Sequence, residues 1–255
     1  MATFPYLTSG HCALIQTPEG RNILVDTGSK TDSAKLIAAL RKRNILSIDL
    51  LILTSPDSTS IGGVPAILNS NIQVRSIWSG ELPPDNSDAK AAILAIEEHQ
   101  TPNKIVHASD SDEIGPSLTQ VSVVWPPQIG PASSRDPLIC RVDFRNFTLI
   151  LCGGSTAEGE NSLVGDNAQR LNTASQHCVL EVTGGGIESG TSPDFLRLTE
   201  PELAIIDGGN EHVVSPLVLH RLEAAGAEVW RTDEQGDITV TTDGRRPPVT
   251  SGSGL

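Results

Sequence analysis

Apolar positions along the chain alternate between two rhythms, short runs with a two-residue or unbroken pattern and longer stretches with helical spacing. Ala13–Gln16 and Asn22–Val25 predict a pair of strands. Thr17-Pro18-Glu19-Gly20 joins them, with Pro and Gly in the order a tight turn requires. Ile48–Leu53 is almost continuously apolar, as a central strand buried on both faces should be. Val74–Trp78, Ile105–His107, Val121–Trp125, Ile139–Phe144, Thr148–Cys152, Val179–Val182, Leu203–Ile206, Glu228–Arg231 and Ile238–Thr241 predict further strands. Within Ile139–Phe144, Ile, Arg and Asp alternate with Cys, Val and Phe, the pattern of a half-exposed strand.

Helical spacing predicts a helix over 32–43, with Leu36, Ile37 and Leu40 on one face and Thr31 or Asp32 as N-cap. The basic triplet Arg41-Lys42-Arg43 closes it, where cations complement the helix dipole. A short helix is expected over Ile61–Leu68, with Pro65 in its first turns. Two more are expected over Ser87–His99, capped by Ser87 or Asp88, and over Pro216–Ala225. Asp233-Glu234-Gln235-Gly236 predicts a hairpin turn between the last two strands. From Arg245 the chain is rich in Pro, Gly and Ser, so residues 1–244 are expected as one domain and 245–255 as a flexible tail. Two strand-rich halves, each followed by helices, predict two sheets packed face to face with helices outside. Periodicity alone limits this to a single α/β or α+β domain.

A chain of 255 residues closes a core without metal or disulfide staples. Aromatic residues are only 3% of it, so that core must rest on Leu, Ile, Val and Ala. The formal charge is −13, with 18 Lys and Arg against 31 Asp and Glu. This argues against nucleic acid as a partner, because gripping phosphates needs a positive surface that displaces counterions. Cys12, Cys140, Cys152 and Cys178 lack C-x-x-C spacing and are expected as buried free thiols. No apolar run reaches the ~18 residues of a membrane span, and no basic-then-apolar leader opens the chain. A soluble cytoplasmic protein is the expectation.

The chemistry centres on Thr54-Ser55-Pro56-Asp57-Ser58-Thr59-Ser60-Ile61-Gly62-Gly63, directly after the apolar strand. It resembles the strand-end loop T-H-x-H-x-D-H-x-G-G of the metallo-β-lactamase superfamily. Thr54, Pro56, Ile61, Gly62 and Gly63 keep the frame, while Ser55, Asp57, Thr59 and Ser60 stand where the resemblance implies His, His, Asp and His. Gly10-His11-Cys12-Ala13-Leu14-Ile15-Gln16-Thr17-Pro18-Glu19-Gly20, running on to Ile23-Leu24-Val25-Asp26-Thr27-Gly28, is similar to the opening of ComEC-like domains of that superfamily. His11 departs from the pattern, which has an Asp there. Ile150-Leu151-Cys152-Gly153-Gly154 resembles a strand ending in T-G-D, with Gly154 at the metal-bridging Asp. Leu180–Gly186, running on to Thr191–Leu196, resembles the segment with P-H-H-G-S, with Gly184 and Gly185 at the paired His. Ser215-Pro216 resembles an H-P, with Ser215 at the His.

The resemblance covers roughly residues 8–244 and implies an α+β fold, a four-layer αββα sandwich. It also implies two zinc or manganese ions, and here the expectation is that they are lost. Zinc and its relatives need imidazole, thiolate or carboxylate donors, and hydroxyls and bare glycine do not replace them. Without the ion there is no low-pKa water to act as nucleophile. The expectation is a pseudo-hydrolase kept for binding or assembly, with no catalytic residues and vestigial positions at Ser55, Asp57, Thr59, Ser60, Gly154, Gly184, Gly185 and Ser215. Its expected partner is a protein or a second copy of the chain, with a small molecule in the vestigial cleft as a further possibility. The alternative is a divergent hydrolase of phosphodiester, nucleotide or lactone substrates using His11, Asp26 and Asp57. Thr183-Gly184-Gly185-Gly186 lacks the Lys and Ser/Thr of a phosphate loop. Asp110-Ser111-Asp112-Glu113 lacks the glycine turn of a calcium loop and reads as a solvated acidic loop. His99, His107, His177, His212 and His220 are dispersed and form no zinc spacing.

Overall fold

The computed structural model describes residues 1–116, 119–127, 136–165, 168–171, 177–208 and 213–254. Its first half supplies strands β1 (Ala2–Phe4), β2 (Ala13–Gln16), β3 (Asn22–Val25), β4 (Ser47–Ile48), β5 (Leu50–Leu53), β6 (Gln73–Val74), β7 (Ile77–Ser79) and β8 (Asn103–Ile105). The second half supplies β9 (Ser111–Ile114), β10 (Thr119–Trp125), β11 (Ile139–Phe144), β12 (Phe147–Leu151), β13 (His177–Glu181), β14 (Leu203–Ile206), β15 (Glu228–Arg231), β16 (Ile238–Thr241) and β17 (Val249–Gly252). The helices are α1 (Ser33–Lys42), α2 (Ser58–Ile61), α3 (Val64–Leu68), α4 (Ser87–Glu98), α5 (Ala157–Val164), α6 (Pro193–Thr199), α7 (Pro216–Ala224) and α8 (Thr232–Gln235).

Among the described residues, one sheet runs β17-β16-β1-β2-β3-β5-β7-β8 and a second runs β15-β14-β13-β12-β11-β10-β9. Strand alternation sorts their side chains into three apolar layers. Leu50 and Ile52 of β5 face inward, joining Ile15, Ile23 and Val25 against Val123, Val142, Leu149, Val179 and Ile205 of the other sheet. Leu51 and Leu53 face outward, onto Leu36, Leu40, Val64, Ile67, Ala92 and Ile96 of α1, α3 and α4. Ile150, Leu180, Ala204 and Ile206 likewise face Leu163, Phe195, Leu196, Val218 and Leu222 of α5, α6 and α7. Helix, sheet, sheet, helix is the resulting order, a four-layer αββα sandwich. β3, β5 and β7 pair in parallel, as do β12, β13, β14 and β15, so within each set the loops leave the same edge of their sheet.

Several details differ from expectation. Asp32 does not cap α1 with its side chain. Its carboxylate instead accepts the Thr8 and Ser9 N–H groups at 2.9 Å each. Asn86, rather than Ser87 or Asp88, caps α4, accepting the Asp88 and Ala89 N–H groups. Val74–Trp78 is broken into β6 and β7, which belong to different sheets. The acidic run at 110–113 is not a loop, since Ser111–Ile114 forms the edge strand β9. The stretch around Asp233–Gly236 is no hairpin turn, because β15 and β16 lie in different sheets and α8 carries the chain across. Val249–Gly252, in the segment expected to fray, pairs antiparallel with β16. The four cysteines are buried and free, and no described helix is long and apolar enough to cross a membrane.

Candidate functional site

The site lies where the ends of β3, β5, β12, β13 and β14 meet the loop before β2. Asp26 follows β3 with φ +58°, a left-handed conformation that Asp tolerates better than most side chains. Its carboxylate accepts the Thr54 N–H at 2.8 Å and the Thr54 hydroxyl, clamping the end of β3 to the end of β5. His11 is held by its backbone N–H, which donates to the Thr59 carbonyl at 3.0 Å. Its ring Nδ1 lies 3.0 Å from the Asp207 carbonyl oxygen and 3.4 Å from Asp207 Oδ1. Glu181, the last residue of β13, accepts the Gly153 N–H at 2.9 Å, and Asp207 accepts the Cys12 N–H at 3.2 Å. One donor atom from each of His11, Glu181 and Asp207 falls within 4.8 Å of the others. All three are buried, as is Asp26.

The hydroxyl-bearing loop turns on itself. Ser55 Oγ donates to Asp57 Oδ2 at 2.9 Å, and Asp57 is exposed. Thr59 and Ser60 contribute carbonyls, to the N–H of His11 and of Thr27 respectively. Gly62 and Gly63 are demanded by packing: a Cβ at Gly63 would meet the Thr27 carbonyl oxygen at 2.5 Å, and one at Gly62 the Lys30 nitrogen at the same distance.

Glycines frame the centre. A Cβ on Gly154 would stand 2.6 Å from Thr54 Oγ1, 3.1 Å from Ser60 Oγ and 3.3 Å from Ser55 Cβ. A Cβ on Gly153 would meet Glu181 Oε1 at 2.7 Å and His11 Cγ at 3.1 Å, and one on Gly185 would lie 3.5 Å from His11 Cε1. The imidazole of His11 therefore sits between the backbone at 153, where a side chain would crowd it, and the backbone at 185, where one would only touch it. The structure thus brings together His11, Asp26, Thr54, Ser55, Ser60, Gly154 and Gly185. Gly184 is one step removed, its N–H donating to the Gly153 carbonyl at 2.9 Å. Ser215 caps α7 and donates its N–H to Gly186. Asp57 is tied to Ser55, with no recorded bond to the buried carboxylates. Of the dispersed histidines, His177 pairs with Glu202 and His99 with Asn69, and His212 lies outside the described residues.

Residues 5–81 match the family model of the metallo-beta-lactamase superfamily. Over 207 residues the chain is 27% identical to ComE operon protein 3 of Bacillus subtilis (strain 168), covering 80% of this chain and 26% of that protein. The metallo-beta-lactamase fold protein YhfI from Bacillus subtilis superposes with a TM-score of 0.58 at 11% identity, over 91% of this chain and 96% of that one. The chain thus resembles the metallo-β-lactamase superfamily over residues 5–81 and shares its fold. Its match to ComE operon protein 3 makes that resemblance ComEC-like. Zn(2+)-bound PqqB from Methylobacterium extorquens has the same fold, with a TM-score of 0.56 at 12% identity over 88% of this chain and 85% of that one. At these identities the two solved structures speak for the fold alone. The chain spans 26% of the length of ComE operon protein 3.

A two-ion centre of the metallo-β-lactamase superfamily does not fit the residues at the corresponding loops. Ser55, Thr59 and Ser60 are neutral and weak as ligands, and Gly184 and Gly185 offer backbone only. The first carbon of a bridging carboxylate at 154 would stand 2.6 Å from Thr54 Oγ1, so the hydroxyl that holds Asp26 would have to move. The charged residues that do converge, Glu181 and Asp207, lie outside the motif positions, so spacing could not single them out. Glu181 ends an apolar strand and Asp207 follows another, and an acid at an apolar strand end was the available signal.

Burial dominates the electrostatics of this metallo-β-lactamase-fold site. It pushes Asp26 up to about 6, against the opposing hydrogen bonds from Thr54. Glu181 is driven well above the ordinary glutamate range, first by burial and then by the Asp207 charge beside it. Burial alone would pull the His11 imidazole down, but the hydrogen bond to Asp207 and the charges of Asp207 and Asp26 outweigh it, and the net shift is upward. Burial and the neighbouring carboxylate charges thus both shift Glu181 upward, and a cation placed among these groups would oppose that shift.

Proposed function

We propose that this chain is a metallo-β-lactamase-fold module without the superfamily's two-ion hydrolytic centre, retained for binding or assembly. The observation that carries this reading is the closure around Gly154, where the hydroxyls of Thr54 and Ser60 crowd the place of a bridging carboxylate. Ligand replacement by itself would leave a cleft lined with hydroxyls. Here Ser55 Oγ donates to Asp57 Oδ2 at 2.9 Å, so two of the replaced positions bond to each other. The partner in this reading is a protein or a second copy of the chain, since the net charge of −13 disfavours nucleic acid. The test is hydrolysis of a generic phosphodiester, bis-p-nitrophenyl phosphate, and of a model lactone, with Zn²⁺ or Mn²⁺ added to purified protein. Rates equal to those of an Asp57→Ala, Ser60→Ala double variant are expected. Turnover well above that variant, dependent on added metal, would overturn the reading.

One observation favours the divergent hydrolase as a second reading: His11 and Asp26 do converge, and Asp207 stands against the imidazole as a base-orienting carboxylate would. Their burial weighs against it, because a general base must reach its substrate. Metal-independent turnover abolished by His11→Asn would establish this reading.

A further inference from the structure

We propose that His11, Glu181 and Asp207 form a site for one divalent transition-metal ion, zinc in the first place, acting as a structural cross-link. The three donors come from the loop before β2, the end of β13 and the loop after β14, so an ion there would tie the two sheets together. Their donor atoms lie within 4.8 Å of one another. An ion with ~2.1 Å bonds sets neighbouring donors about 3.4–4.2 Å apart, so a small inward movement completes the set. One imidazole with two carboxylates suits zinc or manganese better than calcium, which prefers oxygen alone.

Two further observations point to a cation. Three buried carboxylates, Asp26, Glu181 and Asp207, surround a single imidazole. Among the described residues no Lys or Arg forms an ion pair with any of them. Buried charge is otherwise paired or bound to metal. Independently, Ser60 Oγ is fully buried, has no hydrogen-bond partner, and lies 3.1 Å from where a Cβ on Gly154 would stand, one residue along from Gly153, whose own Cβ would meet Glu181 and His11. None of the three ligands is a metal position implied by the superfamily's motifs. Each is more than nine-tenths hidden, so the fourth position, left to a water, would be closed to a substrate, and the role is structural.

The test uses the full chain stripped with a chelator and titrated with ZnCl₂ by calorimetry. A parallel Co²⁺ titration follows visible d–d absorption. One equivalent should bind, and Tm should rise by about 5–10 °C at free zinc a hundredfold above its Kd. Glu181→Gln, which preserves shape, and His11→Asn should abolish saturable binding and the cobalt band, while Asp57→Ala should leave both unchanged. No saturable binding, or binding that survives Glu181→Gln in a variant folded by circular dichroism, would overturn the proposal and leave the proposed function standing. Binding lost in Asp57→Ala and kept in Glu181→Gln would place the ion in the 54–63 loop. That outcome would overturn the proposal and the proposed function together.

Discussion

Gly154→Ala places one methyl group where the structure leaves no space. Gly154 does not adopt a left-handed backbone, so alanine meets no conformational penalty, and the effect reports the contact alone. The new carbon would lie 2.6 Å from Thr54 Oγ1, closer than real Cβ contacts permit. Thr54 is buried and its hydroxyl donates to Asp26, so relief requires that bond to break or the strand ends to separate. Overpacking costs about 1–3 kcal/mol, and a lost hydrogen bond to a charged group about 1.5–3 kcal/mol. Reduced freedom of the unfolded chain offsets roughly 0.4–1 kcal/mol. The net expectation is a destabilisation of about 2–4 kcal/mol. Urea unfolding followed by fluorescence of Trp78, Trp125 and Trp230 gives the free energy by linear extrapolation. Thr54→Ala removes the colliding oxygen, so Gly154→Ala should cost much less in that background, a coupling well above the ~0.5 kcal/mol of independent sites. A Gly154→Ala protein within about 0.5 kcal/mol of the parent, or strictly additive variants, would refute the closed site.

Other parts of the fold carry their own tests. Glu160 on α5 accepts the Thr183 hydroxyl and the N–H groups of Thr191 and Ser192. Glu160→Ala should therefore cost about 2–4 kcal/mol in the same urea assay. Burial raises the Glu160 pKa above 4.5, so the folded state holds the proton more tightly. Its contribution is full below the unfolded value and lost as pH rises through the folded one; Glu160→Gln should flatten that decline. Asp32 runs the other way. Burial would raise its pKa, but the Thr8 and Ser9 N–H groups and the Ser29 hydroxyl hold it below 3.8. Its contribution is present above that value and lost as pH falls through the folded pKa, so Asp32→Asn should reduce the acid dependence of stability below about pH 4. The four thiols are buried, with Cys178 pushed up to about 12 by burial, so a thiol reagent should label none in the native state and all four in urea.

Elements with strong local patterns were legible in the sequence. Ala13–Gln16, Asn22–Val25 and Leu203–Ile206 coincide with strands because a buried apolar run leaves the backbone little else to do, and Glu228–Arg231 and Ile238–Thr241 coincide with less buried strands rich in β-branched or aromatic residues. Caps and crossovers were less legible. Asp32 suits an N-cap by type, yet the nearby backbone of Thr8 and Ser9 claims its carboxylate. The Asp233–Gly236 stretch looks like a local turn, but the sheets on its two sides are chosen by long-range pairing. At the site, the motif frame pointed to loops that the fold brings to one edge of the two sheets. It could not show Glu181 or Asp207, since their meeting with His11 depends on three strand ends far apart in sequence. Nor could it show how closely the Thr54 hydroxyl approaches Gly154.

In the proposed reading the protein's own atoms take the place of the superfamily's ions. Anomalous diffraction from crystals soaked in Mn²⁺ and, separately, Zn²⁺ tests it most directly. No anomalous peak is expected within bonding distance of Ser55, Asp57, Thr59, Ser60 or the Gly154 backbone, and any ion found should lie among His11, Glu181 and Asp207. A pair of peaks seated on the 54–63 loop would contradict it.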